Sequence, residues 1–144
     1  FASIDDVLQV RCDQLFDTLT VAMLREKEKT TGMSAIEATR RLFLLYLRFW
    51  DDESDFLQLV LTARRYSYLL RSFESLFRTL SEPARQKHLP DEFAEYLTAM
   101  QCGASIGVLI RWIRSGKRIP PEEMAEFLTQ TLRAARDLDS VPAL

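Results

Sequence analysis

Apolar residues return at three- and four-residue steps along almost the whole chain, and little interrupts them. Its glycines stand at Gly32, Gly103, Gly107 and Gly116. Prolines fall at Pro83, Pro90, Pro120, Pro121 and, in the tail, Pro142. Strict apolar–polar alternation, the mark of a half-buried strand, is scarce. Long stretches at helical period between clustered breakers predict an all-α fold.

Six helices follow from the punctuation. The first spans about Ile4 to Lys29, with Ser3 as N-cap and Asp6 three positions on as a variant capping box. Leu8, Leu15, Leu19, Ala22 and Met23 form its apolar stripe, and Gly32 lies just past its end. The second begins at "SAIE", where Ser34 caps and Glu37 completes the box, and runs to about Trp50. The third is the short "DFLQLVLTARR", with Ser54 as expected N-cap. The fourth, "YSYLLRSFESLFRTLSE", is expected to stop before Pro83. The fifth runs from about Asp91 to Ser115 and closes on Gly116 as a C′ residue. The sixth starts with Pro121 in its first turn, carries Glu122 and Glu123 where the helix dipole favours acids, and reaches about Leu138. The 144 residues fit one domain, 1–144.

Composition removes several functions. With 21 acidic against 19 basic residues the net charge is −2, the wrong balance for a domain that binds DNA by itself. Cys12 and Cys102 have no partner spacing, and both fall on apolar helix positions, as buried thiols of a reducing cytoplasm would. The nearly uncharged run from Tyr96 to Ile110 stops at Arg111, short of a bilayer's thickness. The expectation is a soluble cytoplasmic protein without a membrane partner. No phosphate-cradling loop, nucleophile elbow or histidine-assisted nucleophile is present, so no enzyme is expected and no catalytic residue is assigned. His88 stands alone in the linker beside Pro90, so no metal and no cofactor are expected. Arg40–Arg41 and Arg64–Arg65 are short basic clusters, read as solvated helix faces.

Two glycines inside the fifth helix need a reason. Each costs about 1 kcal/mol relative to alanine in a helix interior. Gly103 and Gly107 share one face with Tyr96, Met100, Ile110 and Arg114, while Val108 and Trp112 lie opposite. A helix apolar on all sides is covered on all sides. Small residues four apart admit a second backbone at close range, from another subunit or from the same chain. The first is the favoured reading. The sixth helix adds a second apolar stripe, so two helices from each of two subunits make a four-helix interface. The expected interface residues are Met100, Gly103, Gly107, Ile110, Arg114, Met124, Phe127, Leu128 and Thr131.

The segment from Tyr96 to Leu132, "YLTAMQCGASIGVLIRWIRSGKRIPPEEMAEFLTQTL", resembles the end of a TetR-family transcriptional regulator. Gly103, Gly107, Arg111, Trp112, Gly116, Pro121, Glu122, Glu123 and Met124 carry the resemblance. The start, "FASIDDVLQV", is similar to the family's junction after its DNA-binding helices, through Phe1, Ser3, Asp5, Asp6 and Leu8. The resemblance implies a six-helix effector-binding and dimerisation domain. Its helix-turn-helix domain would precede Phe1, and DNA would be a partner only through that domain.

The resemblance also implies a homodimer and a small-molecule effector, apolar or aromatic, held in a cavity among the first, second, fourth and fifth helices. The wall residues it points to are Phe16, Leu19, Met23, Tyr46, Trp50, Tyr66, Leu69, Phe73, Tyr96 and Met100. These are large and partly amphipathic, as pocket walls are, although such stripes also serve as plain core. The competing reading is a stand-alone helical dimerisation module with no DNA-binding domain.

Overall fold

The computed structural model describes residues 3–85 and 90–137, and all regular structure in them is helical. The helices are α1 (Ile4–Lys29), α2 (Ala35–Asp52), α3 (Ser54–Thr62), α4 (Tyr66–Arg85), α5 (Asp91–Arg114) and α6 (Pro121–Asp137). His88, Leu138 and the tail lie outside the described residues.

The caps follow from the sequence at most ends. Ser3 accepts from the Asp6 amide at 3.2 Å and Ser34 from the Glu37 amide at 3.3 Å, each closing a first turn that also carries acids. At the end of α5, Gly116 has φ +80°. Its amide bonds to Ile113 at 3.1 Å while the Lys117 amide reaches back to Trp112 at 3.0 Å, the paired bonds of a Schellman motif. Several ends differ from expectation; α3 stops at Thr62, short of the expected Arg65, and Arg64 takes φ +58°. α4 continues through Pro83 to Arg85, so the proline falls in its last turn. Ser54 is the first residue of α3 and not its cap; it is buried, and its hydroxyl accepts from Lys117 Nζ at 3.3 Å.

Packing is built around a ring of four helices. α1 lies against α2 and α4, α4 against α5, and α5 closes back on α2. The core they enclose includes Phe16, Leu19, Leu47, Trp50, Leu69, Phe73 and Ile106. Full burial of such a side chain contributes about 1.5–3 kcal/mol, so this cluster is the chief source of stability. α6 packs outside the ring on α2 and is fastened there by Arg48–Glu122 at 2.8 Å and by the Arg40 fork on Glu126.

Candidate effector core and the open face of α5

Seven of the ten expected wall residues meet in one place. Phe16, Leu19, Met23, Tyr46, Trp50, Leu69 and Phe73 are all buried within the four-helix ring. Their aromatic members interlock: Phe16 stands edge-on to Phe73 at 4.8 Å and tilted to Trp50 at 5.2 Å, and Tyr46 lies 6.2 Å from Phe73. Tyr66, Tyr96 and Met100 do not join them. They are 44%, 72% and 71% exposed and lie outside that cluster.

The core is apolar but not free of polar atoms. Tyr46 donates to the Ser105 carbonyl at 3.3 Å, and burial raises its phenol well above the usual range. Cys12 lies 3.8 Å from the Ser72 hydroxyl; burial raises its thiol and keeps it protonated. Among the described residues two buried polar atoms have no hydrogen-bond partner: the indole N–H of Trp50, on a side chain with no exposed surface, and the amide oxygen of Gln101. Such orphans are uncommon and costly. Among the described residues the buried polar side chains are Thr30, Ser54, Thr98 and Thr129, so no full charge faces this core. Among the same residues no group of acids, cysteines and histidines is arranged to hold a metal.

Three arginines of the basic clusters, Arg40, Arg41 and Arg65, are ion-paired. Arg40 and Arg41 both reach Glu37, and Arg40 also holds Glu126. Arg65 forks onto Asp5, with Nε 2.8 Å from one carboxylate oxygen, and this contact holds the Asp5 carboxyl below its ordinary range.

The glycine face of α5 is open. A Cβ added at Gly103 or Gly107 would meet nothing within 4 Å, so same-chain crowding is not what these glycines serve. Beside Gly107 a groove of about 510 Å³ separates α5 from α6. Trp112 lines it and is fixed by donating to the Ile119 carbonyl at 2.7 Å. Among the expected interface residues, Phe127 is 61% exposed on the groove's rim, and Arg114 and Thr131 are exposed. Met124 is buried in its own chain's core, and Ile110 and Leu128 are half-buried against it. The groove itself escaped the sequence reading, because it depends on how far α5 and α6 stand apart.

Within α5 the stretch Glu92–Arg114 is long and apolar enough to cross a membrane by length and composition alone, so the short uncharged run does not exclude this as expected. Only 22% of its apolar stretch is buried in this chain.

The family model described as a transcriptional regulator C-terminal region, of the TetR type, matches residues 37–134, well over half of the chain. The chain belongs to this family. No curated protein and no solved structure matches it. The matched span of this TetR-type domain runs from the first turn of α2 into α6 and so takes in the ring-closing helices and the α5 face; α1 precedes it.

Proposed function

We propose that this chain is the effector-binding and dimerisation domain of a TetR-type regulator, a single domain of a soluble cytoplasmic homodimer. It controls DNA binding by a helix-turn-helix segment ahead of α1 and carries no catalysis of its own. The effector is a small uncharged aromatic molecule that enters the core between α1, α2, α4 and α5. The observation that carries this reading is the orphaned Trp50 N–H in a core without charge. A ligand acceptor against that N–H removes a standing penalty, so binding begins with a gain that an all-apolar site lacks.

The mechanism is a population shift between the closed packing described above and a ligand-filled one. Phe73 and Leu69 of α4 face the effector core. A ligand that displaces them moves α4, and α4 is tied to α1 along its length. The ties are Arg65–Asp5 at the start of α1, Cys12···Ser72 in the middle, and Lys27 Nζ on the Leu80 carbonyl at 2.7 Å near the end. The start of α1 is thereby the output point. A few kcal/mol of differential affinity suffices for such coupling.

The test is a thermal-shift screen of the chain against neutral aromatic compounds, repeated on Trp50→Phe. A true effector raises the wild-type Tm and binds Trp50→Phe about tenfold more weakly, the loss of one buried hydrogen bond. Stabilisation that is the same in Trp50→Phe places the ligand elsewhere and overturns the core assignment.

A further inference from the structure

The groove between α5 and α6 has a charge that the effector core lacks. Its apolar side includes Trp112 of α5, Ile119 of the connection, and Met124 and Phe127 of α6. Arg111, Ser115 and Arg118 supply its polar side. Arg111 and Ser115 are four residues apart and share a helix face. Arg118 follows in the connection, just past the turn at Gly116. No acid lines the groove, in a chain with 21 acids against 19 bases.

Two of its polar groups are already used. The Trp112 indole N–H donates to the Ile119 carbonyl at 2.7 Å, and the Ser115 hydroxyl donates to the Trp112 carbonyl at 2.8 Å. The two guanidinium groups are not used. Among the described residues neither forms an ion pair or a side-chain hydrogen bond. Arg40, Arg41, Arg48 and Arg65, by contrast, each hold an acid. A guanidinium offers five N–H donors in a planar fork that matches the oxygens of a carboxylate or a phosphate.

We propose that this groove is a second ligand site, for a small amphiphile with one anionic head, a carboxylate or a phosphate, and an apolar body. The head lies between Arg111 and Arg118. The body lies along Trp112, Ile119 and Met124 and covers Phe127, which is otherwise 61% exposed. A groove of about 510 Å³ with apolar walls and a few placed charges is of the size and composition of a small-molecule site. The effector core cannot take the same ligand, because no charged side chain faces the head there. Trp112 and Met124 nevertheless belong to both the groove and the buried cluster, so the two sites share a wall. Gly107, Met124 and Phe127 are also expected at the subunit interface. Ligand and partner subunit therefore contend for this rim, and binding of one opposes the other. That step rests on the homodimer reading above; the site itself does not.

The test titrates octanoate, octyl phosphate and octanol calorimetrically into the wild-type chain, below their micelle-forming or solubility limits. The tighter of the two anions, which identifies the head, is expected to bind at one per chain and at least about tenfold more tightly than octanol. Arg111→Gln/Arg118→Gln should weaken that anion at least about tenfold and leave octanol unchanged. Both arginines are exposed, so the variant keeps its fold. Trp50→Phe leaves Trp112 as the sole tryptophan, and its emission should shift as the anion binds. No saturable binding, equal affinity for anion and alcohol, indifference to the arginine pair, or an unchanged Trp112 emission overturns the site. Sedimentation in the same buffers should show the anion weakening the wild-type dimer and not that of the arginine variant. A dimer unmoved by bound ligand overturns the contention for the rim and leaves the site standing. A chain that is monomeric without ligand overturns the homodimer reading instead.

Discussion

Phe73 touches more of the aromatic core than any single periodicity argument reveals. It lies within 6.3 Å, ring to ring, of Phe16, Tyr46, Trp50 and Phe77, and it has no exposed surface. Phe73→Ala is therefore expected to cost about 3–5 kcal/mol, as phenylalanine truncations in packed cores do. Trp50→Phe is expected to behave differently. It removes an unsatisfied donor whose burial costs about 1–3 kcal/mol, which offsets much of the lost packing. Urea unfolding of the two variants checks the contrast; equal losses would mean that the Trp50 N–H is satisfied in solution. The residues of this cluster were legible in the sequence because each sits on its helix's apolar stripe. The orphaned N–H was not, since hydrogen-bond satisfaction depends on what the fold places opposite.

At the scale of elements, spacing told which residues share a face but not which face is covered. α4 and α2 have one apolar side each, and their buried residues follow from it. α5 is apolar nearly all round, so spacing alone does not separate Ile106, which is buried, from Met100, which is exposed. The resemblance points to Tyr96 and Met100 as pocket wall, and on a helix apolar nearly all round spacing leaves Met100 a candidate for both the wall and the interface. The placement of α6 on α2 is equally hidden, because it rests on Met124, Ala125 and Leu128 joining the core and on ion pairs 74 and 86 residues apart in the chain. Those pairs make a pH prediction. Arg48 and Arg40 hold the Glu122 and Glu126 carboxyls below their ordinary value of 4.5. A lowered native pKa means stability that is present above the ordinary value and lost as pH falls through the native one. Wild-type Tm should drop as pH goes from about 6 to about 3, and the Glu122→Gln/Glu126→Gln variant should drop less steeply. Parallel pH profiles would show that packing alone holds α6.

For the whole molecule, the question is how a change in the core reaches the start of α1. The sequence placed Asp5 in a capping turn and Arg65 in a basic cluster, sixty residues apart, with nothing to join them. The fold brings them together because α4 starts beside the start of α1, and the turn before it holds Arg64 at φ +58° and presents Arg65 to the Asp5 carboxylate. Ser3 caps the helix, but among the described residues only this fork fastens its first turn to another element through a side-chain bond. Arg65→Ala should leave global stability nearly unchanged, since exposed pairs contribute little. It should instead raise amide hydrogen exchange over residues 7–10, where helix amides depend on the first turn staying formed, and leave the middle of α1 protected by Cys12, Leu15 and Phe16 in the core. If an effector acts through α4, its binding should alter exchange in that same first turn in the wild type and not in Arg65→Ala. Unaltered transmission in the variant would move the coupling to the Cys12–Ser72 and Lys27–Leu80 contacts, which join the same two helices further along.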